Sequence, residues 1–422
     1  MKRKKRVKKR KDILFLCQYF YPENNSSATL PYDTARFFAE QGYRVGVVCG
    51  YPKEYFDGSE VPTEENHKGI HIHRIHYIQT ERSGKAGRLI NYFSFTASVF
   101  LQTHLFRDYR CIICYSNPPI LPVAAMRAAR RYGCKVIFVA YDIYPEIAYA
   151  SANIRKGNLV DRVMRRINHD LYQKASRVIA LTEEMRELIL RCRPEITADR
   201  VCVIYNWAHE ENLDLKDTMG NSSEWKEESG RGKKSEDFCV SYFGNMGICQ
   251  DIETILSAAE NTADDRRIRY EMIGHGNKKD CVEAWIRDHD LQNSRVYSYM
   301  TGEALDRKLA ESSCCVVSLT EGVKGMCAPS KYLTYLYAGK PVISIMETDA
   351  CISNEVTAEG IGFAVGNGDS QALVQAVRWL QDHPLETEAM GRKAAMLYRD
   401  KYCYRIAMSK YRETVDSVLE QN

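Results

Sequence analysis

Nowhere in the 422 residues is there a run of the ~18 clean apolar residues that a helix needs to cross a bilayer. A secretory leader is also missing: residues 13–17 are too short for its apolar core and run into Gln18 and Pro22. No G-x-G-x-x-G joins a strand pattern to a helix pattern, which removes the dinucleotide fingerprint. Metal clusters are lacking too. His71 and His73 can share one face of a strand pattern, but no third ligand is evident. Cys111 and Cys114 are formally C-x-x-C, yet residues three apart in a strand point to opposite faces. The Asp-x-Asp at Asp288 and Asp290 ends a helix pattern and does not follow a strand.

Charge on the folded part is the next shortage. The net charge is +4, but residues 2–11 alone hold nine Lys or Arg, which leaves −5 for the remainder. Read this way, the basicity sits in a tail and not on the body. That argues against a nucleic-acid-binding domain, whose basic face belongs to the fold itself. A cationic arm suits an anionic membrane surface, at about 1 kcal/mol per basic residue near the lipid; a merely solvated arm is the alternative. The fifteen cysteines, among them Cys49, Cys134, Cys239, Cys314 and Cys315, are spread through strand-like runs and read as reduced, buried thiols of a cytosolic protein.

What is present is alternation. Strand patterns at 12–18, 43–49, 111–114, 135–140, 177–181 and 201–204 are interleaved with helix patterns at 31–41, 121–132, 159–174 and 183–191. Residues 19–30 read as a polar turn of small residues. Residues 89–106 predict one long helix with two apolar stripes, Ile90, Phe93, Ala97, Leu101 and Leu105 on one and Tyr92, Phe95, Val99 and Phe106 on the other. A helix apolar on so much of its girth is either core or partly inserted in a bilayer surface. Residues 214–237 are polar and Gly/Ser/Lys/Glu-rich, an interdomain linker or insertion.

A second alternation begins at Phe238. Strands 238–243, 270–273, 295–299 and 314–319 are followed by helices 251–260, 279–288 and 302–312. The first two strands run into glycines: Gly244, Asn245 and Gly247, then Gly274. Residues 325–344 close the region as loop, helix, turn and strand. Pro329 suits a first helical position, which would set Ser330 and Lys331 in the first turn, where free N–H groups favour an anion. Gly244, Asn245, Gly247, Gly274, Ser330 and Lys331 are thus the candidate diphosphate-binding residues at the carboxyl edge of one parallel sheet.

These residues carry a resemblance. ILFLCQYFYPE at Ile13, SNPPILPVAAMRAA at Ser116, VAYDIYPE at Val139, VIYNW at Val203, YFGNMGICQDIETILSAAE at Tyr242 and PSKYLTYLYAGKPVIS at Pro329 together resemble the GT-B glycosyltransferases of the family 4 type, in particular their WbuB/WcaI-like branch of O-antigen and exopolysaccharide synthesis. The resemblance implies an α/β GT-B fold, two Rossmann-like domains with parallel sheets facing a cleft. The acceptor domain would span residues 12–213, the nucleotide-sugar domain 238–403, and a last helix, 404–422, would return to the first domain. It implies a retaining transferase that uses no cofactor and no metal, with a nucleotide-sugar donor (UDP-sugar favoured) and a polyprenyl-diphosphate-linked glycan acceptor at the cytoplasmic face of a membrane. The family's acceptor-side base maps onto the Asp142–Glu146 segment; the alternative for Asp142 is a helix N-cap or a structural hydrogen-bond acceptor. The Glu-x7-Glu pair of many members falls on Met326 and Thr334, and the Arg/Lys pair near the glycine loop on Asn245 and Gln250. Two other readings are a nucleotide-sugar 2-epimerase of the same fold and a non-catalytic sugar-nucleotide-binding subunit.

Overall fold

The computed structural model describes residues 11–52, 60–80, 85–151, 154–208 and 237–420. Residues 2–10 of the basic tail, and all of the 214–237 segment but Asp237, lie outside the described residues. The chain divides into two compact units, 1–205 with 408–422, and 206–407.

The first unit is built in chain order from β1 (Lys11–Leu16), α1 (Ser26–Glu40), β2 (Val45–Gly50), β3 (Glu64–His67), β4 (Ile70–Ile75), α2 (Lys85–Leu101), β5 (Tyr109–Tyr115), α3 (Pro122–Tyr132), β6 (Lys135–Ala140), α4 (Glu146–Ala150), α5 (Leu159–Lys174), β7 (Arg177–Ala180), α6 (Glu183–Cys192) and β8 (Val201–Val203). The sheet order is β3-β4-β2-β1-β5-β6-β7-β8, parallel except where β3 meets β4. Strands covered on both faces need apolar residues throughout, and every residue of β2 is buried. Cys111 and Cys114 lie wholly buried in β5, where desolvation pushes the Cys111 thiol up to about 12. Thiols held protonated in this way are inert packing groups.

Two helices depart from their sequence reading. The helix expected at 31–41 begins at Ser26 and carries Pro31 inside it, so much of the expected polar turn is helical. Proline removes one backbone donor there; the Leu30 carbonyl still accepts from the Thr34 hydroxyl at 2.8 Å. The helix expected at 89–106 ends at Leu101, and a short 3-10 turn covers Thr103–Phe106. Its two stripes separate. Phe95, Val99 and Phe106 are buried, while Ile90, Phe93, Ala97 and Leu101 face outward. Buried Asn91 fixes this rotation, exchanging hydrogen bonds of 2.8 and 3.0 Å with the backbone of Thr80. The core reading therefore fails for the first stripe.

The second unit contains β9 (Phe238–Asn245), α7 (Glu253–Glu260), β10 (Ile268–His275), α8 (Lys279–Asp288), β11 (Ser294–Tyr297), α9 (Gly302–Glu311), β12 (Cys314–Ser318), α10 (Lys331–Tyr337), β13 (Val342–Ile345), α11 (Cys351–Ala358), β14 (Gly362–Val365), α12 (Ser370–Asp382) and α13 (Pro384–Leu397). Its sheet is wholly parallel, in the order β11-β10-β9-β12-β13-β14. α14 (Tyr404–Glu420) begins in this unit, and from Met408 onward it belongs to the first. There Thr414 meets Cys202, and the Leu419 carbonyl accepts from Arg110 at 2.6 Å.

Both sheets reverse their strand order once, between β1 and β5 in the first unit and between β9 and β12 in the second. Such switch points open a crevice at the carboxyl ends of the strands, where open α/β sheets bind ligands.

Candidate active site

In the second unit the glycine ends of β9 and β10 lie in register, Gly244 against Gly274 and Asn245 against His275. A Cβ on Gly274 would stand 1.9 Å from the Gly244 carbonyl oxygen, so this glycine is required by the close approach of two backbones. The N–H of Gly247 donates to the Gln250 side chain at 3.0 Å. An incoming phosphate would have to displace that amide.

Lys331 is the distinctive group. α10 starts at Lys331, two residues later than Pro329, and Ser330 occupies the position before it without a capping bond. Seven residues make a weak dipole, so an anion at this edge would be held by the ammonium and not by the helix end. Its Nζ donates to the Tyr242 hydroxyl and stands 3.9 Å from the centre of that ring. The Tyr242 hydroxyl in turn donates to the Asn245 carbonyl at 2.7 Å. A Cβ on Gly244 would lie 3.6 Å from Lys331 Cε, which puts the lysine stem directly beside the glycine end of β9. Burial brings the ammonium down to about 7, and no ion pair offsets it among the described residues. Tyr335, from the same helix, accepts from the Phe243 N–H at 3.0 Å and locks α10 to β9.

In the first unit the ends of β1, β5 and β6 converge. Ser116, just past β5, accepts at its hydroxyl from the N–H groups of Tyr141 and Asp142, at 3.0 and 3.2 Å. This aims the Asp142 segment off the end of β6. The Asp142 carboxylate makes no hydrogen bond or ion pair among the described residues, and burial pushes it up to about 6. The helix-cap reading fails, since α4 begins four residues later behind Pro145. Nearby on the same sheet edge, both amide atoms of Gln18 and the hydroxyl of Tyr115 are buried without a hydrogen-bond partner among the described residues.

Glu146 occupies a different kind of place. Arg193 grips it with both guanidinium branches, at 2.9 and 2.5 Å, and also donates to the Tyr144 carbonyl at 2.7 Å. The pair is largely enclosed, with 6% and 13% of the two side chains exposed. Glu146 therefore anchors the Asp142 segment and is not a second proton-transfer group, because both its oxygens are held by a permanent cation.

Residues 28–207 match the family described as Glycosyl transferase 4-like domain, and residues 223–396 match Glycosyl transferases group 1. This chain belongs to the GT-B glycosyltransferases of the family 4 type. It is 25% identical over 312 residues to a probable glycosyltransferase, WbjE of Pseudomonas aeruginosa, covering 73% of this chain and 74% of the relative. A putative colanic acid biosynthesis glycosyl transferase, WcaI of Escherichia coli K12, is 26% identical over 140 residues, about a third of either chain (33% and 34%). The crystal structure of Anabaena HepE with UDP superposes with a TM-score of 0.66, at 14% identity, over 96% of this chain and 100% of that one. At that identity the likeness is one of fold.

Within this family 4 glycosyltransferase the structure thus brings Gly244, Asn245, Gly247, Gly274, Ser330 and Lys331 to one sheet edge, and sets Asp142 at the other unit's edge. Sequence reading missed Tyr242, Gln250 as the partner of Gly247, Ser116 and Arg193. Their partners lie 89, 3, 26 and 47 positions away. Only the local Gln250 pairing had a sequence signal, its place three residues after a loop glycine.

Proposed function

We propose that this glycosyltransferase works in cell-surface polysaccharide synthesis. It moves a sugar, with retention, from a nucleoside diphosphate donor to a polyprenyl-diphosphate-linked glycan. The observation that carries the proposal is Lys331: a desolvated ammonium, with no ion pair among the described residues, stands beside the glycine end of β9, where a diphosphate would meet it. A UDP-sugar is the favoured donor, supported by HepE structures with UDP and with UDP-glucose. The part in polysaccharide synthesis is supported by what WcaI is described as doing.

In this scheme the bond from the sugar's anomeric carbon to the diphosphate oxygen breaks, and one to the acceptor oxygen forms. Protonated Lys331 stabilises the charge gathering on the departing diphosphate. Asp142 takes the proton leaving the acceptor hydroxyl, and a carboxyl lifted to about 6 is a stronger base than an ordinary aspartate while still ionised at neutral pH. Metal independence is part of the proposal.

A thermal-shift screen against UDP, GDP, ADP, dTDP and CMP tests it. A ligand at 100 times its Kd adds about 2.7 kcal/mol. A shift with UDP is expected; silence with all five overturns the donor reading. Turnover of a UDP-sugar without acceptor would instead favour the 2-epimerase.

A further inference from the structure

The carboxyl edge of the first sheet holds more polar chemistry than the proposed proton transfer uses. Its strands run there in the order β4-β2-β1-β5-β6, with the reversal between β1 and β5. Buried polar groups flank that reversal. Gln18, two residues past β1, is 1% exposed, and neither its amide oxygen nor its amide nitrogen has a hydrogen-bond partner among the described residues. Asn117, two residues past β5, has its side-chain oxygen buried in the same condition. Asp142, two residues past β6, completes the row. Backbone bonds hold the row together: the Gly50 N–H donates to the Gln18 carbonyl at 3.0 Å, and the Ser116 N–H to the Val139 carbonyl at 3.1 Å. A buried amide that gives up its hydration for no bond costs stability, and two of them at one crevice mark a place that a ligand completes.

Farther along the same edge, β2 and β4 end in rings. Tyr51 follows β2 directly and His76 follows β4 directly, and the two stack with 3.7 Å between centroids and 13° between planes. The Tyr51 N–H donates to the Ile75 carbonyl at 3.3 Å, and the Gln79 amide donates to the Tyr51 carbonyl at 2.6 Å. These bonds pin the pair to the sheet, while His76 itself is exposed. Aromatic surface is thus turned to solvent where the strands end.

We infer that this edge reads the acceptor as an oligosaccharide, over more than its reacting sugar. Gln18 and Asn117 bond the hydroxyls of the sugar beside Asp142, and the Tyr51–His76 pair stacks on a sugar further down the glycan. A carboxamide offers an acceptor and two donors, and neighbouring hydroxyls answer both. A pyranose also shows a patch of C–H groups on one face, which packs against the negative face of an aromatic ring. Asp142 and Tyr51 are three strand spacings apart, roughly 14 Å along the edge. A single pyranose does not span that distance, so only a chain of sugars fills both places. A polyprenyl chain would leave the amides unmade, and a diphosphate has no proton to give the two amide oxygens. The inference rests on the reading of Asp142 as the acceptor-side base and specifies what that base is given.

Binding of the full chain to a printed array of bacterial surface oligosaccharides, from monosaccharides to hexasaccharides, tests it, with the affinities of bound glycans then measured by calorimetry. The parent should prefer trisaccharides and longer chains over the matching monosaccharides. Gln18→Met should weaken every glycan about tenfold. Losing an unpartnered buried amide stabilises the fold, so unfolding does not account for that loss. His76→Ala, at an exposed site, should weaken the longer glycans about tenfold and leave the monosaccharides unchanged. A merely structural role would not sort ligands by length. The inference is overturned if no glycan binds, if His76→Ala affects all lengths alike or none, or if Gln18→Met binds like the parent, which would assign the buried amides to ordered water. The UDP thermal shift is read in parallel. Its absence beside intact glycan binding defeats the donor reading alone, and a UDP shift without glycan binding defeats this inference alone.

Discussion

The two units repeat one architecture with opposite electrostatics. Each has a largely parallel sheet whose strand order reverses once, and each places a desolvated ionisable group at the carboxyl edge. In the first unit the charge is the Asp142 carboxylate, pushed up to about 6; in the second it is the Lys331 ammonium, brought down to about 7. Neither has a counter-ion among the described residues, whereas the enclosed Glu146 carboxylate is held by Arg193. The contrast teaches how to tell function from scaffold in this fold. A paired buried charge is held in place by its partner; one without an ion pair costs stability and is a candidate for function.

The comparison can be broken at either edge. The largest effect is expected from Asp142→Asn, which should lower kcat by about 10²–10⁴ while leaving UDP affinity unchanged. The same variant should be more stable at pH 7. A carboxyl whose folded value lies above its unfolded one loses stability as pH rises through that interval, so removing the charge gains up to about 3 kcal/mol at neutral pH and nothing below about pH 4. Denaturant melts at pH 7 and 4 check the sign, and equal stability at both would show that Asp142 is solvated and ordinary. Arg193→Ala should do the reverse. Stripping the partner from Glu146 should cost about 3–5 kcal/mol in the same melts, whatever happens to turnover.

At the second edge, Lys331→Met should weaken UDP binding by about 1.5–3 kcal/mol, read by calorimetry, with no loss of fold. A milder probe is pH. Lys331 must gain its proton to hold a diphosphate, so affinity should fall by up to about tenfold per pH unit above 7. Lys331→Arg should flatten that slope, because a guanidinium keeps its charge throughout. The smallest effect concerns Gln18, whose amide is buried at 1% exposure without a partner among the described residues. Gln18→Met should raise stability by about 1 kcal/mol in chemical denaturation and leave UDP binding as it was.

Much of this was legible in the residues because it is local. The alternation of buried strands with helices, the glycine ends of β9 and β10, the placing of Lys331 beside a strand end and Asp142 directly after β6 follow from patterns a few residues long. Less legible were the start of α1 at Ser26, with Pro31 taken inside the helix, and the roll of α2, which Asn91 fixes by reaching Thr80 eleven positions back.

By itself, then, the sequence determined the order of the elements, the family and the residue types standing at the two sheet edges, since periodicity and turn chemistry act over short range. The tertiary structure decided what each charge does. Glu146 became an anchor because Arg193, 47 residues on, folds back onto it. Lys331 became a lone cation because Tyr242, 89 residues before it, offers a hydroxyl and a ring instead of a carboxylate. Desolvation and pairing depend on neighbours that the chain brings together by folding, and no local pattern encodes them.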